Sequence, residues 1–170
     1  VVRDINGLKK NINLYCISQD REGNLQKASS LLKQNLKTWL SSAKMMSDTI
    51  DIYDASVLNI GLFLDVTIKS TESKAEALPR IREFLFNRLS LSRPEIGGHF
   101  SMGEVRSILH LMPIVQSVNS VKVVVKTGKN YSSTRYDVPS NISPDRNLLY
   151  IPENFIWEIK LASDITGKIQ

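Results

Sequence analysis

Two groups of residues in this chain have side chains that could bind a metal or move a proton. The histidines are His99 and His110, and three aspartates recur at a spacing of three, Asp48, Asp51 and Asp54. Zinc sites need about four nitrogen or sulfur ligands, and no H-E-x-x-H pair occurs. The aspartates lack the glycine turn and the bidentate glutamate of a calcium loop. We therefore expect packed or surface histidines, a solvated aspartate edge and no bound metal.

The other chemical candidates are a glycine pair, a cysteine and the serines. Gly97-Gly98 precedes a helical pattern, but the Lys-Ser/Thr of a phosphate-binding loop is missing, so the pair is interpreted as a turn that leads to a helix cap at Ser101. Cys16 is the only cysteine, which excludes an internal disulfide and indicates a small core residue. No G-x-S-x-G turn occurs. We expect no catalytic residue and no cofactor; a small hydrolase that uses the two histidines is the third and last hypothesis.

Length and composition predict one globular domain. The chain has 170 residues, of which 42% are hydrophobic and 23% charged. No apolar run approaches the roughly 20 residues that cross a bilayer, so no membrane segment is predicted. The first residues form no signal-peptide pattern and include no initiator methionine. We therefore expect a fragment or a processed product.

The formal net charge of +5 and the pI near 9.4 raise nucleic acid as a partner. The lysines and arginines are scattered, however, with no basic block of five or more. Aromatic residues do not alternate with them to form stacking platforms. A solvated surface with a positive bias is the favoured interpretation, and binding of nucleic acid is kept as the alternative function.

The elements that would position any site are dominated by one long strand at residues 57–68. Its core-facing positions alternate with Asn59, Gly61, Phe63, Asp65 and Thr67, which is the period of a strand with one face in a core. The core-facing residues are Ile60, Leu62, Leu64, Val66 and Ile68. A short strand at 12–17 and a connector or short strand at 48–54 come before it.

Helical stripes flank this strand. The stripe at residues 25–40 predicts a helix that packs on the sheet through Leu32, Leu36 and Trp39. Further helices are expected from a cap at Ser73 and from the cap at Ser101. A strand at 118–126 follows, and 148–151 and 155–161 could form a closing hairpin with Trp157 in the core.

This order predicts an α+β fold, a two-layer sandwich with a mixed or antiparallel sheet, helices on one face and a ferredoxin-like or split βαβ core. Residues 1–127 are expected to form the α+β core module. Residues 128–147 are a polar loop or arm, and such long loops are often functional. Residues 148–170 are a terminal strand pair that completes the same domain.

Three apolar residues are expected to contact a partner. Phe63, Val124 and Ile156 fall on the strand faces opposite their core-facing neighbours. If the helices cover one face only, these side chains are partly exposed on the other, where they or the polar arm contact a neighbouring subunit. The alternative is that the loop covers Phe63 and Ile156.

Several segments together resemble one family. L-K-Q-N-L-K-T-W-L (32–40) and D-I-Y-D-A-S-V-L-N-I-G-L-F-L-D-V-T-I (51–68) resemble a helix-then-strand unit of baseplate J-like proteins. R-P-E-I-G-G-H-F-S-M-G-E-V-R-S-I-L (93–109) and V-N-S-V-K-V-V-V (118–125) resemble the next unit of that family. I-S-P-D-R-N-L-L-Y-I-P-E-N-F-I-W-E-I-K (142–160) and S-D-I-T-G-K-I (163–169) resemble the C-terminal end of the baseplate wedge subunit of contractile-tailed phages.

The resemblance implies a structural virion protein that is no enzyme and has no cofactor. Its partners would be a second copy of the same subunit and other wedge proteins, in a ring around the tail hub that rearranges on contraction. The implied location is the phage tail baseplate, reached from the host cytoplasm during assembly, without a membrane or a small-molecule substrate. The alternative, a basic nucleic-acid-binding module, would use its sheet face with Lys122 and Lys126.

Overall fold

The computed structural model describes residues 2–3, 10–21, 23–43, 48–69, 73–92, 94–128 and 130–170. The chain forms a mixed α+β sandwich, which confirms the predicted class. The first elements are β1 (Val2–Arg3), β2 (Lys10–Cys16), β3 (Ser18–Gln19), β4 (Leu25–Gln26), α1 (Ser30–Ser41) and β5 (Asp48–Asp54). β2 and β5 pair in parallel with α1 as their connection, and β1 pairs antiparallel to β2. β3 and β4 form a hairpin of their own.

The larger sheet is built around the predicted long strand, β6 (Ser56–Ile68). The later elements are α2 (Lys74–Leu91), β7 (Phe100–Ser101), α3 (Met102–His110), β8 (Val115–Val125), β9 (Leu148–Leu149), β10 (Phe155–Glu158) and β11 (Ile165–Ile169). β8 pairs antiparallel to β6, whereas β10 and then β11 pair with it in parallel. Short 3-10 helices occupy Pro139–Asn141 and Ala162–Asp164.

The strand order differs from the ferredoxin-like or split βαβ alternatives. β2 and β5 are direct neighbours, so no strand splits this βαβ unit. The connection from β2 to β5 runs through the β3–β4 hairpin and α1, and neither strand of the hairpin joins this sheet. The mixed sheet around β6 forms separately, and its helices come after β6 in the chain.

The core lies between β6 and the two helices that follow it. Its five alternating residues from Ile60 to Ile68 are all buried, as the period predicts. α2 contributes Ile81 and Leu85, and α3 contributes Val105 and Leu109. Both helices therefore cover one face of the larger sheet, and the opposite face is left to other contacts.

The helix caps explain where two of the helices begin. The Ser101 hydroxyl accepts a 3.0 Å hydrogen bond from the Glu104 N–H, which confirms the predicted cap of α3. α1 begins at Ser30, later than predicted, because Leu25 and Gln26 belong to β4. The Ser29 hydroxyl accepts from the Leu32 N–H and caps this later start.

The predicted C-terminal hairpin is wrong. β9 pairs with β7, and β10 pairs with β6. The ring of Trp157 on β10 packs edge-on against Phe100 of β7, with centroids 5.0 Å apart. The two strands that were predicted to pair with each other, β9 and β10, therefore have different partners, and the contact between the two rings connects them.

Candidate functional site

The face of the larger sheet away from α2 and α3 carries two of the three predicted contact residues. On β6 the open-face position Phe63 is partly exposed and lies opposite Lys122 on β8 and Thr166 on β11. Val124, two residues along β8, is 48% exposed. The surface called here the open face consists of Phe63, Asp65, Thr67, Lys122, Val124, Thr166 and Lys168.

One end of the open face is held by side-chain hydrogen bonds. The Asn119 amide donates to Asp65 Oδ1 at 3.0 Å and to Thr67 Oγ1 at 3.1 Å. Gln170 Nε2 donates to the same Asp65 oxygen at 3.0 Å. The carboxylate is therefore engaged, and the exposed cations Lys122 and Lys168 give this face a positive character.

The expected exposure of Ile156 is wrong, because this side chain is only 3% exposed. The hairpin of β3 and β4 lies beside it, and Ile17 and Leu25 line the same cleft as Ile156. The Leu25 N–H donates to Glu158 Oε1 at 3.3 Å and fixes the hairpin there. The 128–147 loop also lies close by, because Ser132 bonds to the carbonyl of Val57, the β6 residue that pairs with Ile156.

The predicted packing of α1 is wrong for Leu32 and Trp39, which are 50% and 69% exposed, and Leu31 is exposed as well. Leu36, the third residue of that prediction, is half-buried, and no residue of the helix is fully buried. The helix instead turns its lysines toward β5. Lys33 Nζ lies 2.7 Å from Asp54 Oδ2, and Lys37 Nζ lies 3.8 Å from Asp51 Oδ1. Away from these ion pairs, three large apolar side chains of the helix are exposed, Leu31, Leu32 and Trp39, and we call them the α1 surface.

The predicted core position of Trp157 is confirmed, since this side chain is 8% exposed. The two tryptophans of the chain therefore have opposite environments. The helical stripe predicted that Trp39 is buried, and the strand alternation predicted the same for Trp157. Only the prediction for Trp157 is confirmed. The α1 surface was not predicted from the sequence. The available signal was the pair Lys33 and Lys37, which bind Asp54 and Asp51 of the aspartate run.

The polar segment 128–147 is tied to the body of the protein. The Ser132 hydroxyl donates to the Val57 carbonyl oxygen at 2.6 Å, and the Ser132 N–H donates to Asn59 Oδ1 at 2.7 Å. The Tyr131 hydroxyl donates to Asp164 Oδ1 at 2.6 Å. This hydrogen bond, together with burial and the carboxylate charge, raises the pKa of Tyr131. The first part of the segment therefore packs on β6 and beside β11.

The Asp164 carboxylate is buried and has several partners. Besides Tyr131, its Oδ2 accepts from the Leu161 N–H at 3.1 Å. Lys126 Nζ lies 3.9 Å from Oδ1. The stem of Lys126 also fills the space above Gly61, where an added Cβ would lie 2.6 Å from Lys126 Cε. Lys126 is thus a structural cation, unlike the exposed Lys122.

The other candidate chemical groups take structural positions. His99 Nδ1 accepts from the Ile151 N–H at 3.1 Å, and its ring packs edge-on against Tyr150. The Cys16 thiol donates to the Tyr53 carbonyl oxygen at 3.4 Å, and burial, with help from Asp54, raises its pKa above that of a free thiol. His110 is exposed at the end of α3.

The aspartate run does not form a cation site in the part of the chain that is described. Asp51 and Asp54 face lysines of α1, and the side chain of Asp48 lies outside the described residues. No group of three or more His, Cys, Asp or Glu side chains converges among the residues placed by the structure. The Gly97-Gly98 pair forms a turn, with Gly97 at a φ of 78°.

Two clefts flank the contact between Leu25 and Glu158. One, of about 690 Å³, lies between the hairpin, the end of α2 and β10, and its walls are mainly apolar. The other, of about 500 Å³, lies between β4, the β5–β6 junction and residues 132–134 and is mainly polar. Asp54 lines this second cleft, and its buried Oδ1 atom has no hydrogen-bond partner among the described atoms.

Across the described ranges, no helix is long and apolar enough to span a bilayer. The features that stand out are therefore surfaces, namely the α1 surface and the open face. Comparison with protein-family models and with curated protein sequences finds no match to this chain.

Proposed function

We propose that this chain is a structural virion protein, the C-terminal portion of a baseplate wedge subunit of a contractile phage tail. It acts through contacts with a second copy and with other wedge proteins. The observation that carries the proposal is the α1 surface. Trp39 is 69% exposed on a helix whose two lysines point inward to aspartates of β5.

Such a surface suits a protein partner. Interface centres are depleted of charged residues, and tryptophan is enriched among the residues that contribute most to binding. A 69% exposed tryptophan on a helix that also exposes two leucines costs solvation free energy in a monomer, at about 25 cal/mol for each Å² of apolar area. Docking of a neighbouring subunit would remove this cost.

The order of elements supports the resemblance to baseplate J-like proteins. The segment at 32–40 lies within helix α1, and the segment at 51–68 includes most of β5 and all of β6. The segments at 93–109 and 118–125 contain the Gly97 turn, α3 and most of β8. The helix-then-strand units of the resemblance thus coincide with real helices and strands.

The alternative function, binding of nucleic acid, is favoured by one observation. Lys122 lies directly opposite the partly exposed Phe63, and Lys168 lies on the same open face. An aromatic ring beside cations can stack on a base while the cations meet phosphates. Lys126 does not belong to this set, because its ammonium lies 3.9 Å from the buried Asp164 carboxylate.

The experiment that tests the proposal uses contractile tails purified from the source that encodes the chain. Antibodies raised against the chain are applied to intact tails and examined by electron microscopy. We expect label at the baseplate end only, with pre-immune serum as the control. Tails that carry no label would contradict the proposal.

A second assay separates the alternative function from it. Binding of single-stranded DNA and RNA is titrated at rising salt. A baseplate component shows no binding at low salt, whereas affinity that falls steeply with salt, and is lost in Lys122→Ala, would support the nucleic-acid alternative. Lys126→Ala is not a suitable probe, since it removes the partner of Asp164.

A further inference from the structure

The outer edge of β8 has main-chain groups that no other described strand uses. The Lys126 N–H donates to the Asn59 carbonyl oxygen at 2.8 Å, so the main-chain groups of Lys126 point toward β6. Those of Val124 and Lys122 point the same way, because they lie two and four residues along the strand. Because N–H and C=O of one residue point to the same side of a strand, the main-chain groups of Val121, Val123 and Val125 point away from β6. Among the described residues, no strand, loop or side chain bonds them.

The side chains of Val121 and Val123 are buried, and among the described residues nothing pairs with the main-chain edge between them. Proteins protect such edges with charges, bulges or covering segments. β8 has a register irregularity opposite Asp65 and Val66, but residues 121–125 are regular. α3 packs on one face of β8, and on the other face Lys122 and Val124 are exposed. Along residues 121–125, the edge of β8 therefore has main-chain donors and acceptors without a partner among the described residues, next to the exposed Val124.

We propose that β8 pairs with β8 of a second copy of this chain, antiparallel, with Val123 opposite Val123. The pairing deepens the assembly role proposed above by naming the surface on which a second copy binds. The three outward residues of each strand then exchange about six main-chain hydrogen bonds. The two larger sheets join into one continuous sheet across a two-fold axis.

Charge selects this register over its neighbours. A pair centred on Lys122 places two lysines directly opposite each other, and a pair centred on Val124 places Lys122 opposite Lys126. Like charges directly opposite are destabilising. The register centred on Val123 instead places Lys122 opposite Val124, and Lys126 opposite Ser120. The aliphatic stem of Lys122 then covers the valine that is 48% exposed in the single chain.

The register predicts opposite effects for two substitutions at one position. Lys122 and Val124 become neighbours in a non-hydrogen-bonded pair, where Cβ atoms lie about 4.5–5.5 Å apart. Val124→Glu creates two Lys–Glu pairs across the dimer, and Val124→Lys creates two Lys–Lys pairs. Since Val124 is exposed, neither change disturbs the core of the single chain.

The experiment measures the dimer dissociation constant of the purified chain by sedimentation equilibrium. We expect Val124→Glu to tighten the dimer and Val124→Lys to weaken it, each by about three- to ten-fold, from two cross-strand pairs per dimer. Raising the salt concentration reduces both changes. Asn87→Glu and Asn87→Lys, on the exposed side of α2, are the matched controls, because they alter net charge equally and leave the dissociation constant unchanged.

A cross-link keeps the proposal testable if the charge variants fold poorly. In a Cys16→Ser background, Lys122→Cys protein is mixed with Val124→Cys protein and oxidised. The register predicts a disulfide-linked heterodimer in the mixture and little product from either protein alone. A chain that stays monomeric at every concentration, equal shifts from both Val124 variants, or cross-linking that does not need the mixture would overturn it.

The outcome is separable from that of the proposed function. Tails labelled at the baseplate with no effect of the Val124 variants would keep the assembly role and reject the β8 pair. Unlabelled tails with opposite Val124 effects would keep the β8 pair and reject the baseplate assignment.

Discussion

The hydroxyl of Tyr131 donates a 2.6 Å hydrogen bond to the buried carboxylate of Asp164. The two residues lie 33 positions apart, the first in the polar loop after β8 and the second just before β11. The contact joins the loop to the edge of the larger sheet. At Tyr131, the segment 128–147, which the sequence predicts as a polar loop or arm, is therefore bonded to the rest of the fold.

Replacing Tyr131 with phenylalanine removes this hydrogen bond and leaves the ring in place. We expect Tyr131→Phe to lower the free energy of unfolding by about 1–2 kcal/mol, because Asp164 keeps the Leu161 N–H as a partner. Urea denaturation at pH 7 measures the change. Ser133→Ala, in the same loop at an exposed position, is the control and leaves the midpoint unchanged.

The same bond sets a dependence on alkaline pH. The pKa of Tyr131 is raised in the folded protein, so its contribution to stability is fully present below the ordinary tyrosine pKa of about 10 and is lost as pH rises through the folded value. Tyr136, whose pKa burial also raises, contributes in the same direction. We expect stability to fall above pH 10 and to fall less in Tyr131→Phe. An equal fall in both proteins would contradict this assignment.

The two tryptophans should respond oppositely to substitution and to quenching. Trp157→Ala removes a ring packed on Phe100 and should cost about 3–5 kcal/mol of stability, whereas Trp39→Ser should change it by less than about 0.5 kcal/mol. Iodide should quench the fluorescence of Trp39 in the single chain and leave that of Trp157. A large loss of stability in Trp39→Ser would show that α1 packs as the sequence pattern suggested.

Two glycines provide a matched test of how closely β11 approaches β6. A Cβ at Gly167 would lie 2.5 Å from the Leu64 carbonyl oxygen, so Gly167→Ala should destabilise the protein by about 1–3 kcal/mol. At Gly103, in α3, the nearest atom is 3.7 Å away, and Gly103→Ala should stabilise it by at most about 1 kcal/mol. Thermal melting of both variants checks the pair. Equal melting temperatures would mean that the two strands are further apart.

Cys16 should be a slow thiol. Burial first, and then the charge of Asp54, raises its pKa, while Lys33 lowers it. We expect the folded chain to react with a disulfide reagent at pH 8 more slowly than the unfolded chain, because less thiolate is present. Asp54→Asn should speed the reaction, and Asp51→Asn should not. A reaction as fast as that of a free thiol would contradict this environment.

The predictable part of this fold was the part decided by local pattern. The alternation from Ile60 to Ile68 and the cap at Ser101 were sufficient, because strand period and cap chemistry act over a few residues. α1 was misjudged because its lysines meet aspartates of β5 that are distant in the chain, and such partners have no local signal. Ile156 was misjudged for the same reason, since the residues that line its cleft come from distant parts of the chain.

The predicted contact residues show the same difference between local pattern and distant contacts. Phe63 and Val124 were placed correctly on the open face by strand alternation alone. The unpaired edge of β8 could not be foreseen, because an edge is defined by the absence of a neighbouring strand. Trp39 carried an ambiguous signal, since an apolar helical stripe looks the same whether it packs on its own sheet or on another chain.

The central claim is that this chain works by docking its exposed surfaces against neighbouring subunits. Hydroxyl-radical footprinting of the isolated chain and of the same chain within assembled tails tests it most directly. Docking predicts strong protection of Trp39 on assembly and unchanged, low reactivity of the buried Trp157. Equal reactivity of Trp39 in the two states would contradict it.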